Sequence, residues 1–214
     1  MSSRYPGYDV LAKRHTPSWN EKTRRVIDQR LATRREPRFF SPAEWRTLVA
    51  VADRILPQSA SRPTVPIAGM IDTRIFEGHD DGYRDYRLPP MGAAWRSGLK
   101  ALDLEARHRL GVAFHMLAPA EQDVILEAAQ AGRLTDPAWE GMQAAVFFEK
   151  RLLSDIAAAY YAHPIAWNEI GFGGPASPRG YVRMQPDRRD PWEAAEAKPG
   201  KMVQAVRSNR RVGR

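Results

Sequence analysis

From Trp139 to Tyr161 apolar side chains recur on a helical period, with Ala145, Phe148, Leu152, Ile156 and Tyr160 along one stripe and Val146, Phe147, Leu153 and Ala157 widening it. A helix that is apolar over so wide an arc has to be covered on several sides, which puts it at the centre of a bundle. Nowhere do apolar and polar residues alternate between hairpin turns, so the fold class is mainly α. Ser41-Pro42-Ala43-Glu44 reads as a capping box with proline at the first helical position. Trp45, Leu48, Val49, Ala52, Ile55 and Leu56 follow on a helical period until Pro57 stops the run. Ile67 to Phe76 before Gly78, residues 91–109 around Trp95, Leu99 and Leu102, and the Pro119-x-Glu121 start running to Gly132 supply the remaining helices. The expected architecture is a small bundle of about five helices carrying long irregular N- and C-terminal arms. A short surface helix is expected over residues 18–33, with Ser18 as its cap.

Charge divides the chain in the same way. Residues 1–38 carry +6, residues 39–162 carry −3 and residues 163–214 carry +5, so the net +8 lies outside the bundle. The domain reading follows: a basic N-terminal arm over 1–38, a helical bundle over 39–162, a Gly/Pro-rich strap over 163–190 and a basic tail over 191–214. Arginine supplies 27 of the 33 basic residues, a bias that suits fixed ion pairs and interfaces. Basic arms serve nucleic acid, anionic lipid or an acidic protein surface. Thr23-Arg24-Arg25-Val26-Ile27 is superficially like a twin-arginine export signal, but Asp28, Gln29, Arg30 and Arg34 follow where an apolar region is required. From this chain alone a cytoplasmic location is expected, with no transmembrane segment.

Chemistry is sparse. The absence of cysteine excludes a disulfide framework, a thiolate zinc site, an iron–sulfur cluster and covalently attached haem, so electron transfer would need another subunit. His108 and His115 lack an accompanying carboxylate at ligand spacing. His79-Asp80-Asp81-Gly82 lacks the alternate acids of a calcium loop. His163 before Pro164 reads as a cap on the last carbonyls of the long helix. An independent enzyme using His163 and Glu169 as an acid–base pair has only a weak signal, because a separation of six constrains no geometry. No catalytic, cofactor-binding or metal-binding residue is assigned. Gly171-Phe172-Gly173-Gly174-Pro175 does not stand between a strand and a helix, so it is no dinucleotide loop. It reads as an ordered strap, pressed either against a partner or against the protein's own core.

Taken in order, these segments resemble the gluconate 2-dehydrogenase subunit 3 family. The resemblance rests on Phe39-Phe40-Ser41-Pro42-Ala43-Glu44-Trp45, Ala52 to Pro57, Gly98 to Asp103, Leu117 to Gln122, Phe147-Phe148, Tyr160 to Pro164, Trp167 to Phe172 and Gly173-Gly174-Pro175 through Gly180-Tyr181. It implies a non-catalytic accessory (γ-type) subunit that binds and stabilises or matures an FAD-dependent dehydrogenase of the glucose–methanol–choline class. The FAD would sit in that large subunit, which oxidises a sugar, sugar acid or alcohol, with a cytochrome c subunit as an optional electron acceptor. The family's members commonly begin with a twin-arginine signal, so a periplasmic location would require export together with a signal-bearing partner. Contact with the partner is expected from Trp167, Phe172, Gly173, Gly174, Pro175, Arg179, Tyr181 and Arg183, aromatic and arginine anchors on an ordered loop. The rival class is a basic-armed helical protein that binds nucleic acid. Acids interspersed in both arms and the lack of a nucleic-acid-binding motif weigh against it.

Overall fold

The computed structural model describes residues 4–60, 62–82, 85–178, 180 and 192–212. The protein is mainly helical. Its elements are α1 (Glu21–Leu31), α2 (Pro42–Ile55), α3 (Ile67–Phe76), α4 (Met91–Leu110), α5 (Pro119–Gln130), α6 (Ala144–Phe147), α7 (Ser154–Ala162), α8 (Pro164–Ile170) and α9 (Met202–Asn209). The chain divides into two compact units. One comprises Thr33–Tyr160; the other joins Met1–Ala32 to Tyr161–Arg214.

The unit formed by Thr33–Tyr160 contains the helical bundle. Its α2 starts as the sequence requires: Ser41 Oγ accepts from Glu44 N–H, and Glu44 Oε2 accepts from Ser41 N–H at 2.7 Å. At α5 only the second half of that arrangement exists, because Ala118 has no hydroxyl; its N–H donates to Glu121 Oε2 at 2.9 Å. Trp95, Leu102, Phe147, Leu152 and Ile156 are fully buried. Phe40, Trp95 and Phe147 meet edge to face, with centroids 6.3 and 5.7 Å apart, and Trp139 adds a fourth ring at 5.9 Å from Phe147. Gly98 makes room for this stack. A β-carbon there would lie 2.2 Å from the Phe147 ring.

The long helix expected from Trp139 begins later. Trp139 closes a 3₁₀ turn, Pro137–Trp139, and Glu140 and Gly141 then take positive φ (51° and 84°), which ends that turn. Helix resumes at Ala144, widens into π-helical turns over Phe148–Leu153, and continues as α7. Three residues that periodicity did not single out organise the buried polar groups of this unit. Asp72 accepts from the backbone N–H groups of Arg38, Phe39 and Phe40 at 2.8, 2.9 and 3.1 Å, fixing the entry to α2. Asp155 accepts from Trp95 Nε1 at 2.9 Å, and Glu105 accepts from Asp136 N–H at 3.0 Å.

The second unit has its own core of Tyr8, Val10, Trp19, Ile27, Trp167, Ala194 and Val212. Its α1 starts at Glu21, later than the sequence suggests. Asn20, in extended backbone, caps it by accepting from Thr23 N–H at 2.9 Å, whereas Ser18 is buried beside Trp19. His163 is also corrected. It caps the start of α8 and not the end of α7: Nδ1 accepts from Ile165 N–H at 3.3 Å, and Nε2 lies 3.1 Å from Arg30 O. Both contacts are met by the tautomer with its proton on Nε2. Proline at the next position favours this outcome, since it fits the first turn of a new helix and cannot continue an old one.

Candidate partner interface

The strap is built on α8. Gly171 ends that helix in the left-handed conformation (φ 70°), and its N–H returns to Trp167 O. The chain then turns over the Trp167 ring. Phe172 stands edge-on to it at 5.5 Å, and Gly174, again at positive φ, comes so close that a β-carbon would lie 3.1 Å from Trp167 and from Val10. Residues 8–20 clasp this loop from the N-terminal side. Trp19 Nε1 donates to Pro175 O at 2.8 Å, Asn20 N–H to Ser177 O at 2.7 Å, and Val10 N–H to Asn168 Oδ1 at 2.8 Å. Lys13, fully buried, donates its ammonium to Gly173 O and lies 5.9 Å from the Trp19 ring. Burial pushes the Tyr8 hydroxyl above its ordinary pKa, and this hydroxyl donates to Trp192 O at 3.3 Å.

These contacts sort the residues expected to meet a partner. Trp167 is 3% exposed and packs inside its own unit. Gly174 packs against the Trp167 ring, and the Gly173 and Pro175 carbonyls accept from Lys13 and Trp19. Phe172 is 43% exposed, and the sequence reading passed over two exposed neighbours, Tyr161 at 51% and Ile170 at 46%. Periodicity gives no warning of these two, since each stands near the end of a helix, where the apolar stripe stops. Arg179, Tyr181 and Arg183 lie outside the described residues. The protein's own core therefore takes the tryptophan, and the rim of α8 offers apolar side chains to solvent.

Elsewhere polar groups serve packing. Asp81 spends its carboxylate on Arg74 and Arg151, and Arg151 also reaches Asp155 at 3.3 Å. Burial pushes the Asp155 carboxyl above its ordinary pKa even though Arg151, Arg74 and Trp95 face it. His108 pairs with Asp136 at 2.6 Å. No group of three metal-ligating side chains occurs among the described residues. In the bundle unit, Trp45, Val49 and Asp53 of α2 face Pro57, Gln58, Ala60 and residues 64–69 across an open groove of about 700 Å³, and Arg54 next to it holds Asp123 through two bonds of 2.8 and 2.6 Å. Among the described residues no helix is long and apolar enough to cross a membrane.

The fold and its surfaces define a small, mainly helical protein whose organised polar groups secure packing and whose apolar rims are available for contact. Residues 42–174 match the profile of gluconate 2-dehydrogenase subunit 3, more than half of the chain, and the protein belongs to that family. It is thereby related to a subunit of a dehydrogenase complex. No curated protein and no solved structure matches the chain. The match covers nearly all of the bundle unit together with α8 and the strap as far as Gly174. Residues 1–41 and 175–214 lie beyond it.

Proposed function

We propose that this chain is a non-catalytic accessory subunit that binds an FAD-dependent dehydrogenase of the glucose–methanol–choline class and stabilises or matures it. The observation that carries the reading is the family match over residues 42–174. The side-chain geometry is consistent with it: the buried acids and His163 are engaged in caps, ion pairs and backbone contacts that hold helices together. Substrate oxidation and FAD belong, in this reading, to the large subunit, with a cytochrome c subunit as an optional electron acceptor. Tyr161 near the end of α7 and Ile170 and Phe172 of the strap are the proposed apolar contacts, and the compartment follows that of the partner.

Co-expression with a flavoprotein of that class encoded beside this chain tests the reading. The expected result is a yellow complex of one-to-one stoichiometry and a lower yield of active flavoprotein when this chain is omitted. A stable, fully active large subunit that never co-purifies with the chain would sink the proposal.

A further inference from the structure

We propose that the outer face of α9 and the turn following it form an arginine stripe that docks onto a carboxylate-rich surface of the dehydrogenase subunit; this rests on the accessory-subunit reading. Between residues 198 and 212 the chain carries Lys198, Lys201, Arg207, Arg210 and Arg211 and no acid. All five are exposed, and among the described residues none of them has an ion pair. Eight of the sixteen basic residues of the bundle unit behave differently: Arg38, Arg54, Arg74, Arg87, Arg107, Arg109, Lys150 and Arg151 each face a carboxylate of the same unit. Five cations in fifteen residues, with no acid among them, are thus a local surplus of positive charge.

Helix geometry gathers part of this surplus on one side. At about 100° per residue, Val203 and Arg207 fall on one side of α9, and Arg210 and Arg211 follow in the exposed turn after it. Ala205, Asn209 and Val212 occupy the opposite side and are buried. Asn209 locks the orientation. Its Oδ1 accepts from Ala195 N–H at 2.6 Å, and its Nδ2 donates to Pro6 O at 2.9 Å and to Ala195 O at 3.0 Å. The stripe is therefore preorganised, which lowers the ordering cost of binding.

The chemistry of the stripe selects the partner. Arginine forks match carboxylates in a bidentate way. Val203, 66% exposed, lies on the same face and Met202, 39% exposed, beside it, a mixture of apolar and guanidinium groups that suits a protein interface. A lipid surface is disfavoured because α9 is eight residues long and offers only Met202 and Val203 as exposed large apolar side chains to insert.

The test is the affinity of the full-length chain for the co-expressed flavoprotein, wild type against R207E/R210E/R211E, across a range of sodium chloride concentrations. The expected result is a loss of about tenfold or more in Kd for the variant, mostly through slower association, and a flatter salt dependence, with an unchanged thermal melt showing that the unit still folds. R207K/R210K/R211K keeps the charge and is expected to lose less. A complex that forms with equal affinity in the charge-reversed variant overturns this proposal and leaves the accessory reading intact. A wild-type chain that forms no complex overturns both. Tight binding of duplex DNA or of anionic phospholipid vesicles, abolished by the same substitutions while the flavoprotein complex is unaffected, assigns the stripe to another partner and also overturns it.

Discussion

The two units solve the same folding problem with different materials. Thr33–Tyr160 holds sixteen basic and seventeen acidic residues and pairs eight of its cations with its own carboxylates; the unit made from the two chain ends holds seventeen basic and eight acidic residues. The first is a bundle whose longer helices are legible from apolar period and caps. The second contains the short helices α1, α8 and α9, joined by a strap whose hydrogen bonds run between residues more than 150 positions apart. The family match divides along nearly the same line, covering the bundle and extending only as far as the strap. A helical bundle with local contacts stands on periodicity. A unit closed by the chain ends stands on a few side chains that carry long-range bonds.

Substitutions sharpen that contrast. The largest effect is expected in the bundle, where Trp95→Ala removes a fully buried ring that stacks on Phe40 and Phe147 and leaves a cavity. A loss of about 3–5 kcal/mol is expected, read by chemical denaturation. In the second unit the corresponding weak point is polar. Asn209→Ala deletes three hydrogen bonds that hold α9 to residues 6 and 195, and a loss of about 2–3 kcal/mol, with early proteolysis after residue 195, is expected. An Asn209 variant as stable as wild type would show that the chain ends are secured by apolar contact alone.

Gly174→Ala tests the strap at smaller amplitude. It forces a β-carbon into positive φ and to within 3.1 Å of Trp167, which is expected to cost about 1–2 kcal/mol and to alter the fluorescence of that ring. Caps come next. Ser41→Ala in the bundle and Asn20→Ala in the second unit are each expected to cost about 1 kcal/mol, and equal costs would show that both units depend on helix starts to the same degree.

The smallest effect concerns acid. Hydrogen bonds from Arg14 and Arg54 hold Asp28 and Asp123 below the usual carboxylate range, one pair in each unit. A depressed folded-state pKa contributes stability that is present above the unfolded value and lost as the pH falls through the folded one, so both pairs weaken below about pH 4. Both are exposed and therefore screened by salt. Asp155 runs the opposite way. Its carboxyl is pushed up by burial, so its protonation on acidification favours the folded state, and Asp155→Asn is expected to remove that opposing contribution from the acid limb of a pH–stability profile.

How much was legible in the sequence differs along the same division. Ser41, Pro42 and Glu44 announced α2 because capping is a local interaction over four residues. Gly98 to Asp103 and Pro119 to Gln130 lie in helices as their spacing required. The long helix begins at Ala144, later than the apolar period from Trp139 predicts, since a positive φ at Glu140 is a tertiary matter that an apolar period does not register. In the strap, composition identified an ordered loop and left open what it pressed against. Trp167 has the look of an interface anchor, yet Val10, Gly174 and Phe172 enclose it. No periodic signal joins residue 10 to residue 174.

By itself, then, the order of residues determined the helical class, the helix starts, the segregation of positive charge towards the ends and the family, because each depends on neighbours within a few turns or on composition. The tertiary structure alone decided that the two basic ends close around the strap, that Lys13 and Asn209 are the bolts of that closure, and that Arg207 of α9 and Arg210 and Arg211 of the turn after it are exposed. Those outcomes depend on which distant backbone groups a side chain can reach. Only the packed chain sets that distance.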